Sequence, residues 1–119
     1  MSADAVTGWD LVINSSATAL SAKNGGAVSL QVFNAVTGGF FVNDVTITTL
    51  GDGAGTAGTL TLNGAIALDN SGADPADFTF TSANANVILA GDSSIDTENG
   101  NNATGGTIYL GTGLNTSAS

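Results

Sequence analysis

Apolar and polar positions along this chain alternate in short bursts. Runs of three to six residues place Val, Ile, Leu or Phe at every second position with Thr, Ser or Ala between them, and clusters of Gly, Asn, Asp and Ser separate the runs. A period of two is that of a strand, whose successive side chains point to opposite faces. The bursts are LVI at 11–13, VSLQVF at 28–33, VTITTL at 45–50, TLTL at 59–62, AIAL at 65–68, FTFT at 78–81, NVIL at 86–89 and TIYL at 107–110. Two weaker strands are expected at 17–22 and 40–42, and the loop Lys23-Asn24-Gly25-Gly26 between bursts is expected to supply the positive φ of a tight turn. In the strand at 28–33, Val28, Leu30 and Val32 share one face; at 45–50, Val45, Ile47 and Thr49 do so. Long helices are not expected, because with one Glu and one Lys the chain is nearly devoid of good helix formers other than Ala and Leu.

The bursts also repeat as a set. TLTL-NG-AIAL, a polar loop and FTFTS are followed by NVIL-AG-DSSID, a polar loop and TIYLG, a self-similarity of roughly 28 residues. Such a period predicts an all-β fold in which successive units stack as a parallel β-solenoid. The N-terminal half fits the same plan when written LVI-NSS-ATALSA-KNGGA-VSLQVF and then FFV-ND-VTITTL-GDGAGTAG-TLTL. The expectation is therefore a single domain of about four irregular coils over residues 1–119: a lead-in at 1–9, N-terminal coils at 10–62, C-terminal coils at 59–114 that share the strand 59–62, and a tail at 115–119. The alternative is a β-sandwich of pilin or adhesin type, in which an N-terminal strand within 3–13 inserts into a neighbouring subunit.

Composition narrows the function classes. A chain of 119 residues supports one core. Its formal net charge is −9 and Lys23 is the sole basic residue, so neither counterion release on nucleic acid nor attraction to anionic lipid is available. With no Cys and no His, a disulfide framework, thiolate catalysis, a Ser-His-Asp triad and a histidine-ligated zinc are all excluded. No apolar run approaches the ~20 residues of a membrane helix, so membrane insertion is not expected. The N-terminus lacks the basic and apolar regions of a signal peptide, which leads to the expectation of a fragment, or of export information held elsewhere.

Residues 86–113, NVILAGDSSIDTENGNNATGGTIYLGTG, resemble the repeats of giant bacterial surface proteins related to filamentous haemagglutinin and the autotransporter passengers. The residues that carry the resemblance are Val87-Ile88-Leu89, Gly91-Asp92, Ile95-Asp96-Thr97, Gly105-Gly106 and Ile108-Tyr109-Leu110; it extends over 59–114, and to the N-terminal half by pattern alone. It implies a right-handed β-helix serving as an extracellular or bacterial cell-surface stalk, adhesin or fibre, a homo-oligomer or filament with no catalytic residue. A host or cell-surface glycan is a conceivable target that the residues do not identify. No secretion or anchoring motif accompanies the repeats, so the export route is not implied.

Candidate chemistry is sparse. Asp69, Asp74 and Asp77 in one polar loop, with Asp92, Asp96 and Glu98 in the other, bring together the oxygen ligands and glycines that weak calcium binding requires. Neither loop has EF-hand or calcium-nonapeptide spacing, and Asp and Asn also cap turns and solubilise loops. The pairs Asp92/Asp96 and Asp74/Asp77 have the residue type for glycoside hydrolysis, but Trp9 and Tyr109 are the sole candidates for a sugar platform, and Trp9 reads more readily as a core plug or end cap. GDGAGTAG lacks the Lys-Ser/Thr that would make it a phosphate loop. A non-enzymatic structural module is the expectation, with self-association through strand edges, and a monomeric carbohydrate- or calcium-binding module is the competing class.

Overall fold

The computed structural model describes residues 2–3, 9–18, 22–34, 42–69, 75–82, 84–99 and 104–111, and among these the chain is all-β with no helix. In chain order the strands are β1 (Ser2–Ala3), β2 (Trp9–Asn14), β3 (Val28–Leu30), β4 (Phe33–Asn34), β5 (Val42–Thr48), β6 (Leu60–Leu62), β7 (Ala65–Ala67), β8 (Phe78–Phe80), β9 (Val87–Leu89), β10 (Ser94–Asp96) and β11 (Ile108–Tyr109). These described strands form three sheets. Sheet 1 has the order β1-β2-β5-β8-β11, sheet 2 the order β3-β6-β9 and sheet 3 the order β4-β7-β10. From β2 onward the chain visits sheets 1, 2 and 3 in turn and adds one strand to each on every pass.

Among the described strands, seven of the eight pairings are parallel; the exception is β1 against β2. The sandwich alternative expects mainly antiparallel pairing. Parallel sheets are normally covered on their faces, and here the covering comes from the other sheets: Val28, Val45, Ile47, Leu60, Leu62, Ile66, Leu68, Phe78, Phe80 and Val87 form one buried cluster with contributions from all three. Apolar residues also stack from strand to strand. Leu11 faces Val45, which faces Phe78, and Ile13 faces Ile47, which faces Phe80. Val28, Leu60 and Val87 are neighbours in sheet 2, as are Leu30, Leu62 and Leu89. Full burial of each such side chain contributes about 1.5–3 kcal/mol.

The internal repeat is visible in the pairing. TLTL meets NVIL as β6 on β9, AIAL meets SSID as β7 on β10, and FTFT meets TIYL as β8 on β11. Polar side chains bridge neighbouring passes at the same spacing. Ser93 Oγ donates to Leu62 O across 31 residues, and Ser82 Oγ accepts the Thr49 N–H across 33.

The N-terminal half corrects the expected alignment. Leu11-Val12-Ile13 pairs with Val45-Thr46-Ile47 and not with the segment at 40–42, so the repeating unit starts at a sheet 1 strand and no strand is shared between units. The strand expected at 17–22 is absent where described: Ala17 and Thr18 are outside any strand and Ala22 is in a turn, residues 19–21 lying outside the described set. The burst at 28–33 bends between β3 and β4, which leaves Val32 74% exposed while Val28 is buried. Within the expected lead-in, Ser2–Ala3 forms β1, and Trp9 opens β2, 39% exposed instead of plugging the core. The positive φ expected at 23–26 occurs at Ala22 (50°) instead. Gly25 is required for another reason: a Cβ there would overlap the Thr49 carbonyl oxygen of the next pass.

Candidate functional site: the open end of the three sheets

The acidic residues singled out from the sequence are distributed by the fold. Asp92 lies in the bend between β9 and β10, whereas Asp96 ends β10 and its Oδ1 accepts the Glu98 N–H at 2.9 Å. Asp69 follows β7, and its Oδ1 is buried with no hydrogen-bond partner. Asp77 precedes β8, and its Oδ1 accepts the Thr107 N–H at 2.6 Å. Asp74 lies outside the described residues. Among the described residues no group of three or more acidic side chains converges where it would hold a metal ion. Asp77 belongs instead to a ladder of two: Asp44 Oδ1, within β5, accepts the Asp77 N–H at 2.9 Å, and Asp77 in turn caps the Thr107 N–H of the next pass. The aromatic pair does not form a platform either, since Trp9 is at the first full strand of sheet 1 and Tyr109 at the last.

The geometry with functional content is at the other extreme of the chain. β9, β10 and β11 are the last strands laid down, and each is the outermost strand of its own sheet. Among the described residues no strand pairs with their outer edges. Residues from all three, with Leu62 and Ser93 beside them, line a cavity of about 220 Å³ that opens to solvent. Its wall is aliphatic: Leu89, Ile95, Ile108 and Leu110, with Ser94 at the rim.

Exposure there results from position in the ladder and not from a change of residue type. Leu62 is 2% exposed and its neighbour in register, Leu89, is 49% exposed; Phe78 is 0% exposed and its neighbour Ile108 is 46% exposed. Among the described residues, no strand of a further pass covers the second member of each pair. Unpaired backbone N–H and C=O groups along an edge are a template for another strand, and natural sheets blunt such edges with charge, Pro or a covering segment. β9 reads Val-Ile-Leu and β11 reads Ile-Tyr, with no such device within them.

Sequence patterning names the strands but not this end. The signal in the sequence is the set of apolar positions in the second copy of the repeat, Leu89, Ile95, Ile108 and Leu110, which line this end. A second feature missed is a column of hydroxyls at the exit from sheet 1. Ser15, Thr49 and Ser82 occupy it, and Thr49 and Ser82 are buried. Ser15 Oγ donates to Gly26 O at 2.7 Å, Thr49 Oγ1 donates to Gly58 O at 2.8 Å, and Ser82 Oγ accepts the Thr49 N–H at 2.6 Å. Comparison of the chain with protein-family models, with curated proteins and with solved structures found no match.

Proposed function

We propose that the chain is a structural module, a parallel β-solenoid whose copies join end to end through their strand edges into a fibre or stalk on a bacterial surface. The single observation that carries this reading is the end formed by β9, β10 and β11: three outermost edges that no described strand pairs, around an open aliphatic cavity. The occupant is a second copy, because its entry strands carry the matching pattern. Leu11 and Ile13 in β2, or Val28 and Leu30 in β3, present the same alternate apolar positions as the strands already stacked there. Covering the exposed halves of Leu89, Ile108 and Tyr109 contributes about 1 kcal/mol each, and each backbone bond added to the ladder about another 1 kcal/mol net. A contact between unlike ends does not close on itself, so it propagates as a filament. The surface location rests on the resemblance of residues 86–113 to surface-protein repeats.

Electron microscopy with sedimentation velocity tests the proposal on the purified chain over a hundredfold concentration range. Unbranched filaments, with monomer giving way to larger species as concentration rises, are expected. One monomeric species at every concentration would overturn the reading and return the chain to the class of monomeric binding modules.

A further inference from the structure

Resting on the end-to-end reading, the strand count points to the register of the joint, and we infer that β2 of one copy seats on β9 of the next, with β1 as the strap that must first leave. Among the described residues sheet 1 holds four parallel strands (β2, β5, β8 and β11), whereas sheets 2 and 3 hold three each. The chain adds strands in the order sheet 1, sheet 2, sheet 3, and the last described strand in that sequence is β11 in sheet 1. The next place in the ladder is therefore the free edge of β9 in sheet 2. The first parallel strand of an incoming copy is its β2, so a continuous ladder puts β2 on β9 and turns the incoming copy by one third of a revolution.

The residue pattern accepts this register. In β2, Leu11 and Ile13 are half-buried and Val12 is exposed; in β9, Val87 is buried and Ile88 half-buried, with Leu89 left open at the end. Setting Val12 beside Ile88 places Leu11 over Val87 and Ile13 over Leu89. The competing joint is the straight one, β3 on β9, which extends the Val28-Leu60-Val87 column. In that joint the incoming β2 needs the place that β11 already fills on β8, so the pairs Ile108–Phe78 and Tyr109–Thr79 are lost as well. Both joints require the incoming β1 to go, because β1 lies antiparallel on the outer edge of β2 through Ser2–Asp10 and Ala3–Trp9. The rotated joint loses β1 alone. An antiparallel strand of two residues ends a parallel ladder, so β1 keeps this edge closed in the free chain and slows addition.

The chain has no cysteine, so paired substitutions report the register directly. Neighbouring strands about 4.8 Å apart fall within the Cα separation that a disulfide spans. Mixing V12C with I88C chains under mild oxidation should give a covalent dimer, and S29C with I88C should not; a Ser29–Ile88 dimer in place of the first overturns the rotated joint in favour of the straight one. Filaments that yield neither dimer overturn the register but leave end-to-end assembly standing, while a chain that stays monomeric removes both. Deleting residues 1–8 should raise the elongation rate about tenfold, the equivalent of one to two backbone bonds. An unchanged rate overturns the strap, and loss of assembly overturns it in favour of strand donation between subunits.

Discussion

At the scale of single residues, the fold depends on buried hydroxyls and on glycines that have no room for a side chain. Ser82 is buried, and its Oγ is the acceptor for the Thr49 N–H at 2.6 Å, so Ser82→Ala leaves a buried donor without a partner. The expected cost is about 1–3 kcal/mol. Thr81 is the control: it is exposed, its Oγ1 meets Thr48 Oγ1 at 2.8 Å, and Thr81→Ala should cost less than about 0.5 kcal/mol, because water replaces the bond. Urea denaturation of the three chains at low concentration measures both, and equal midpoints for the two variants would remove the hydroxyl column from the account. A second contrast is between glycines. A Cβ on buried Gly58 would overlap the carbonyl oxygen of Gly26 on the preceding pass, so Gly58→Ala must push the neighbouring backbones apart and should cost about 3 kcal/mol. Gly53 has φ +55° and nothing within 4 Å of an added Cβ; Gly53→Ala carries only the left-handed strain of about 1 kcal/mol. A reversed order in thermal midpoints would contradict the close approach of the passes.

At the scale of elements, legibility varies with how well each strand's period is bounded. The C-terminal repeat is readable because NG and AG sit at matching turns, where Gly64 and Gly91 both have positive φ, and the flanking strands pair as the alignment places them. In the N-terminal half the pattern aligns Leu11-Val12-Ile13 with the wrong partner. Two triplets are available, Phe40-Phe41-Val42 and Val45-Thr46-Ile47; β5 runs from Val42 to Thr48, and Leu11-Val12-Ile13 pairs with the second triplet, with a bulge opposite Asp10. The strand expected to start at Ala17 does not begin at Ala17 or Thr18, for a related reason. Asn14 Oδ1 accepts the Ser16 N–H at 3.0 Å and turns the chain out of β2, and propensity does not outweigh that local bond. The acidic loops are legible as loops, but two of their carboxylates, Asp77 and Asp96, accept backbone N–H groups. Asp77 shows this for β11: its Oδ1 holds the Thr107 N–H, while the Phe78 N–H donates to Thr107 O at 2.9 Å. Asp77→Ala should loosen β11 and cost about 1 kcal/mol, and Asp77→Asn, which keeps the acceptor oxygen, should recover most of it. Hydrogen exchange at residues 107–109 is the readout, and equal protection in Asp77→Ala and the parent chain would dismiss the ladder.

At the scale of the whole molecule, charge and strand count act on the same joint in different ways. Every copy has a formal charge of −9, so joining two ends brings two like-charged molecules together. Repulsion of this kind reaches about 30 Å at 10 mM salt and about 8 Å at 150 mM, so the concentration at which filaments appear should fall about tenfold between the two. An onset that ignores salt would mean that charge repulsion between copies does not oppose the joint. Strand count sets the geometry of the product. Ten described strands of the parallel ladder over three sheets amount to three and one third layers, and layers are spaced about 4.8 Å apart, so a continuous ladder advances about 16 Å per copy and turns by about a third of a revolution. The straight joint discards β11, advances three layers or about 14 Å, and turns only by the twist of the sheets. Both give the same layer spacing, so diffraction at that spacing does not separate them. The rise and rotation per copy do, and a helical reconstruction with a rise near 14 Å and little rotation would show that β11 yields its place on β8 to the incoming β2.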